Sequence, residues 1–378
     1  MNPLAGLAAP LGALAEDARV LPAGGGAQEY LQRFDLDEHY DRLAGGKERV
    51  VREICERPGG ALYIETPSRP RNEDHCFRLF VDGASRITFL GTLVDGAKAT
   101  PVVLAQLGAA AIERQDDGRL HVARRDVQLA LALAKASLTD RVWDRVGVLS
   151  EEAGIKMIDS AERTEYTDET EFGTVVEPRS RAAHVANWHM RLLEKKLLAA
   201  VLDNRPAESW VVIDGSLGKE FWDVKEPNGF VGVVKNFSKE LLFELPRARA
   251  ATRTVDLHTM IARLPVGHRT AVFRRPDERA AFWYVRLRGP LELDYPLMGV
   301  IKVEVPLGAA NMVESELVDR LSSCLVAERS VATPGRDPRW HAHLYPIHLA
   351  ERAIRVAFVS QTVLQAAVKW PRATEMTT

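Results

Sequence analysis

What the chain has little of narrows its class before any motif is read. It holds three cysteines, Cys55, Cys76 and Cys324, far apart and without a CxxC pair. That excludes a zinc ribbon or a thioredoxin-type centre, and so sparse and odd a count suits the reducing cytoplasm. Net charge is almost absent, at −2, so any nucleic-acid binding must come from local basic patches. No uncharged apolar run of about eighteen residues occurs, which predicts no membrane span. The opening MNPLAGLAAPLGALAEDARV is apolar but lacks a basic start and contains two prolines, unlike a secretory signal. Common catalytic signatures are missing too. Gly215-Ser216-Leu217-Gly218-Lys219-Glu220 has a P-loop look, but its glycines are too close and Glu220 replaces the needed Ser or Thr. No GxSxG, HExxH or GxGxxG stands in a usable context.

What is present is a globular composition of 378 residues, 46% apolar and 27% charged, enough for one large domain or two ordinary ones. Residues 1–28 are rich in Ala, Gly and Pro and read as a loosely held arm. A helical region over 29–57 follows, closed by Pro58-Gly59-Gly60, so 1–60 forms an N-terminal extension and 61–372 the main domain. FRLFVD reads as a strand ending at Asp82, turned by Gly83-Ala84-Ser85, with 86–93 running back. Segments 108–114 and 120–125, split by Asp116-Asp117-Gly118, form a second hairpin. A helix is predicted over 126–136, an acidic loop over 162–177 and a long helix over 183–203. The strand WVVI then ends in Asp214, and FVGVV ends in Lys235. Further on, 238–245 reads as helix and 269–274, 282–287 and 298–305 as strands. Helices over 311–329 and from Pro346 to about residue 370 complete the chain. The class is α/β, a mixed sheet with flanking helices.

Chemistry gathers at a few of these places. Asp82 and Asp214 each follow an apolar run and precede Gly and a nearby Ser, as VDGAS and IDGS. If their strands are neighbours, two carboxylates converge, and a divalent ion is the usual way to keep both charged. Ordinary hairpin turns are the alternative for each. Glu194 sits among apolar positions of its helix, four residues after Met190 and three, four and seven before Leu197, Leu198 and Val201. Such a carboxylate needs a partner, either the same metal or an edge salt bridge with Arg191 or Lys195. Lys235 at a strand end could meet a phosphate oxygen. The run HAHLYPIHLAERAIR places His341, His343, Tyr345, His348 and Glu351 at the entry to the last helix, with His348 and Glu351 on one face. Arginines among aromatics, Arg274, Arg275, Arg279, Arg286 and Arg288 with Trp283 and Tyr284, could grip a nucleic-acid backbone or simply be solvated strand faces.

In order and context these pieces resemble the NurA nuclease family, whose core is ribonuclease H-like. The matching residues are Asp82 in FVDGASR, Glu194 in HMRLLEKKLLAAV, Asp214 in WVVIDGSLG, Lys235 in VGVVKN and Tyr345 in LYPIHLAERA. The first motif carries an extra Ala84, and Ala353 stands where that family has a histidine, so His348 or Glu351 would substitute. The resemblance implies a deoxyribonuclease dependent on Mn²⁺ or Mg²⁺, with Asp82, Glu194, Asp214, His348 and Glu351 as ligands. Lys235, Tyr345 and His348 would assist. The chemistry implied is two-metal hydrolysis of DNA ends by a homodimer partnered with a HerA-type hexameric translocase. A relative that has lost activity and serves as an adaptor on an ATPase ring is the alternative, and an enzyme acting on RNA a third.

Overall fold

Long stretches in which apolar residues alternate over two faces make strands, and a sheet covered on both sides lets both sets be apolar. The centre of this molecule is such a sheet. A computed structural model describes residues 4–23, 50–70, 76–162, 177–202, 209–218, 229–247, 251–276, 279–289, 297–307, 311–331, 340–368 and 370. In chain order its main strands are β1 (Tyr63–Glu65), β2 (Phe77–Asp95), β3 (Lys98–Arg114), β4 (Leu120–Leu133) and β5 (Ile155–Asp159). They continue with β6 (Trp210–Asp214), β7 (Phe230–Val234), β8 (His268–Thr270), β9 (Ala280–Arg286) and β10 (Val300–Pro306). Across the sheet the order is β1-β8-β9-β10-β7-β6-β2-β3-β4-β5, with Arg19–Pro22 and Phe273–Arg274 pairing at the side. The β2-β3-β4 meander is antiparallel, whereas β6 and β7 join β2 in parallel.

The helices are α1 (Ala8–Asp17), α2 (Asp140–Glu152), α3 (Pro178–Leu202), α4 (Leu257–Ala262), α5 (Ser315–Glu328), α6 (Tyr345–Arg355) and α7 (Gln361–Ala367). Helix α3 covers one face, packing Leu197 and Leu198 on Leu79, Val81 and Ile213. Each such fully buried leucine contributes about 1.5–3 kcal/mol. Helix α6 covers the other, packing Ile347, Ala350 and Ile354 with Phe80, Ala84, Val212 and Val233. The small residues of β3 allow this close approach: a Cβ on Gly108 would lie 2.2 Å from Cγ2 of Ile354. Beyond this core, Arg114 forks onto Glu328 of α5 (Nη2 to Oε2, 2.8 Å) in a buried pair.

Several expectations are corrected here. The supposed turn at Gly83-Ala84-Ser85 does not exist. The strand runs on through it, with Gly83 to Ser85 paired to Ala109, Gly108 and Leu107, so Asp82 is mid-strand. Residues 126–133 are strand, not helix, because LALAL alternates: Leu131 and Leu133 join one cluster, Ala130 and Ala132 another. The segment expected as a helix at 238–245 ends in a strand, Leu242–Arg247, with Phe243 and Leu245 both buried. The arm is not loose where it is described: α1 buries Leu11 and Leu14 against Val142 and Val146 of α2, and Arg19–Pro22 pairs with β2. Of the helix expected at 29–57, residues 29–49 lie outside the described ones, and Val50–Val51 and Glu56–Arg57 are short strands. The last helix is broken between Arg355 and Gln361, where Ser360 caps α7 through the Val363 N–H. Most of the acidic loop, 163–176, lies outside the described residues.

Candidate functional site

Register brings the two aspartates together. The parallel ladder between β2 and β6 pairs Phe80 with Val212 and Val81 with Ile213. Asp82 and Asp214 therefore follow at the same level on adjacent strands, about 4.8 Å apart in backbone terms. The two-residue period puts both on the α6 side, with Phe80, Ala84 and Val212. Asp214 in turn pairs with Val233 of β7. Two residues further, on the same side, Lys235 reaches back and its Nζ lies 2.7 Å from Oδ2 of Asp214, with both side chains largely buried.

From above, α6 contributes Glu351. Arg355, one turn on, holds its Oε1 through Nε and Nη2 at 2.8 and 2.7 Å. Burial opposes the Glu351 charge, but Arg355, Lys235 and His343 outweigh it and hold the carboxyl below its usual range. Asp82 goes the other way. Burial first, and then the Asp214 charge, push it well above the ordinary carboxylate value. Lys235 offsets part of this, and Glu351 and Glu194 add to it. Acid thus outweighs base around Asp82.

Glu194 arrives from the opposite face. Odd-numbered residues of β2 from Leu79 to Phe89 point at α3: Ser85 donates to Oδ1 of Asn187 at 2.6 Å. A Cβ on Gly83 would lie 2.2 Å from Oε1 of Glu194. The Glu194 carboxylate therefore rests on the bare backbone of Gly83, next to Asp82 but across the sheet from its side chain. The acids expected to share one metal instead approach the strand from two faces. His343 and His348 join Glu351 on the α6 side, their ligand atoms all within 4.8 Å of one another. Tyr345 opens α6 and is 41% exposed.

Sequence reasoning missed the support beneath Asp214. Glu304 of β10 is fully buried. Its Oε2 accepts from Ser216 Oγ (2.9 Å), the Leu217 N–H (2.9 Å) and Arg275 Nη1 (3.1 Å), and its Oε1 from Lys302 Nζ (2.7 Å). Arg191 of α3 and Arg275 donate to the carbonyls of Ser216 and Leu217, each at 2.9 Å. Burial works against the Glu304 charge, yet Lys302, Arg275 and these hydrogen bonds bring its pKa down to about 2. A signal was available: in IKVEVP the two charges share one strand face, and a fully apolar strand with charges on one face needs them paired. The arginine–aromatic strip is corrected in part by the same burial, although Arg279 is exposed. Trp283 and Tyr284 are core, and Arg286 donates to the carbonyls of Leu264 (2.6 Å) and Ile261 (2.7 Å).

Among the described residues, His343, His348 and Glu351 are the group whose ligand atoms come within 4.8 Å of one another, and Asp82 and Asp214 are not part of it. Asp82, Asp214 and Glu351 offer carboxylate oxygens, which suit Mg²⁺ or Mn²⁺. Oδ1 of Asp214 is buried and accepts no hydrogen bond, a cost that a cation would remove. Compared with protein-family models and with curated proteins, the chain matches none. Among the described residues no helix is long and apolar enough to cross a membrane.

Proposed function

We propose that this chain is a divalent-metal-dependent phosphodiester hydrolase acting on DNA, with Asp82 and Asp214 as the central ligands. The observation that carries this reading is the level placement of a buried aspartate, Asp82, and a half-buried one, Asp214, on adjacent parallel strands, under an acid-bearing helix. The family resemblance, with its ribonuclease H-like core, agrees with an aspartate on each of two neighbouring strands and a glutamate on the helix between them. It also supplies the expected partners, a second copy of the chain and a HerA-type translocase.

In this reading Asp82, Asp214 and Glu351 would hold the metal, and the chemistry it would supply when bound is activation of a water and stabilisation of the leaving oxygen. Lys235 fixes the Asp214 carboxylate and supplies a positive charge beside the position of a phosphate oxygen. Arg355 fixes Glu351. The Glu304 network holds the turn after Asp214 rigid, so that the carboxylate is preorganised rather than ordered on binding. Glu194 supports the strand from behind.

A second reading, an inactive adaptor, draws on the Lys235–Asp214 pair itself, because an internal cation can satisfy a buried carboxylate without metal. Labelled single- and double-stranded DNA and RNA, incubated with Mn²⁺, Mg²⁺ or EDTA, separate the readings. Metal-dependent DNA cleavage that Asp82→Asn and Asp214→Asn abolish is the expected result. Cleavage of no substrate under any metal, by a folded protein, favours the adaptor, and cleavage unaffected by either variant refutes the site.

A further inference from the structure

The imidazoles beside Glu351 have a chemistry that the carboxylates do not. His343 is almost fully buried in front of α6. Its backbone is pinned: its N–H donates to the Trp340 carbonyl (3.1 Å), its carbonyl accepts from the Ser330 N–H (2.9 Å), and the next residue, Leu344, bridges to Arg329. His348 and Glu351 are three apart on α6 and so lie on one helix face. The rings of His343 and His348 meet edge to face, with centroids 6.4 Å apart. All three ligand atoms lie within 4.8 Å. A tetrahedral ion with ligands about 2.0–2.1 Å away needs donor atoms roughly 3.4 Å apart, a contraction within reach of side-chain torsions. The Glu351 carboxylate is already oriented by Arg355, as metal-bound carboxylates are oriented by outer partners.

We infer that His343, His348 and Glu351 form a transition-metal site of their own, selective for Zn²⁺, Co²⁺ or Mn²⁺ over Mg²⁺. Imidazole nitrogen favours the first three, whereas Mg²⁺ demands oxygen and keeps its waters. Three protein ligands leave a coordination position open for water or a substrate oxygen. The site shares Glu351 with the proposed nuclease centre and His348 with the ligands that the family resemblance implies, and it differs from that centre in its imidazole donors.

The test is titration of the full-length chain with Co²⁺ alone, read by visible absorption. An intense band of low-symmetry, nitrogen-ligated Co²⁺ at one ion per chain is expected. In the Asp214→Asn protein, where the carboxylate centre that shares Glu351 is disabled, excess Mg²⁺ should leave it and Zn²⁺ should erase it. His348→Ala, at a half-buried position, should weaken Co²⁺ binding about 100-fold or more, at least the upper end of what loss of an outer partner costs. His343→Asn should do the same; circular dichroism reports whether that buried position still folds, and His348→Ala decides if it does not. Asp214→Asn should leave the band intact even where it abolishes cleavage. A weak octahedral spectrum, binding indifferent to His348→Ala, or displacement by Mg²⁺ as readily as by Zn²⁺ overturns the inference.

Discussion

Glu304→Gln is the sharpest test of how Asp214 is held. The substitution keeps the shape of the side chain but removes a charge that faces both Lys302 and Arg275, and both cations are buried. It also puts an amide NH₂ where an oxygen accepted hydrogen bonds. The lowering of the Glu304 pKa from 4.5 to about 2 corresponds to about 3 kcal/mol of folding stability at neutral pH. Breaking one partner out of a buried ion pair costs about 3–5 kcal/mol, so two routes agree. The sign follows from the folded pKa being depressed. The contribution is complete above the unfolded value of 4.5 and is lost as pH falls towards 2. Urea unfolding at a series of pH values measures it, with the m-value as a check that the transition is unchanged. At pH 7 the variant should be less stable by about 3 kcal/mol. The gap between wild type and variant should then close as the pH is taken down from 4.5 to about 2. Other carboxylates titrate in the same window, but they do so in both proteins and cancel in the difference. A gap under about 1 kcal/mol at pH 7, or one that does not change with pH, refutes the reasoning.

Gly83→Ala forces a methyl into Glu194, whose Oε1 would be 2.2 Å away; a loss of about 1–3 kcal/mol is expected, with Mn²⁺ affinity by calorimetry showing whether Glu194 matters to the ion. Lys235→Met leaves the Asp214 carboxylate buried without its 2.7 Å partner and should cost about 3–5 kcal/mol in metal-free protein, a loss that saturating Mn²⁺ partly restores in thermal melts. Mg²⁺, which the imidazole site disfavours, should at a hundredfold excess over its Kd stabilise the wild type by about 2.7 kcal/mol, and neither Asp82→Asn nor Asp214→Asn should show that increment. Arg114→Met with Glu328→Met, which removes a buried pair that includes none of the proposed ligands, should leave metal binding unchanged whatever it does to the melting temperature.

Much of the frame was legible because its signals are local. A β-branched run before Asp214, an apolar run before Lys235 and a long amphipathic α3 announce themselves in single windows. The places where the reading failed are those in which a window admits two structures. LALAL before Lys135 satisfies a strand or a buried helix equally, and the neighbour β3 decided it. The sidedness of Glu194 was beyond the sequence altogether. Helical spacing shows which residues of α3 share a face, but whether that face lies over or under Asp82 depends on the crossover that places α3 on the sheet.

The echo between VDGAS and IDGS shows most clearly why letters underdetermine a site. Both place an aspartate on the α6 side, yet the glycines serve different ends. Gly83 stays in the strand, paired with Ala109, and is needed for its missing Cβ, because Glu194 occupies that volume. Gly215 has φ of 106°, a backbone conformation that L side chains resist. It turns the chain so that Ser216 Oγ and the Leu217 N–H both reach Glu304. The serines diverge likewise: Ser85 ties its strand to Asn187 of α3, and Ser216 ties its turn to β10. Alanine at Gly83 should therefore act through Glu194, whereas alanine at Gly215 should act through backbone strain. Only the second should be rescued in part by asparagine, which tolerates positive φ better than alanine does. Equal rescue at both positions, measured as recovery of urea stability, would show that the two motifs are built alike after all.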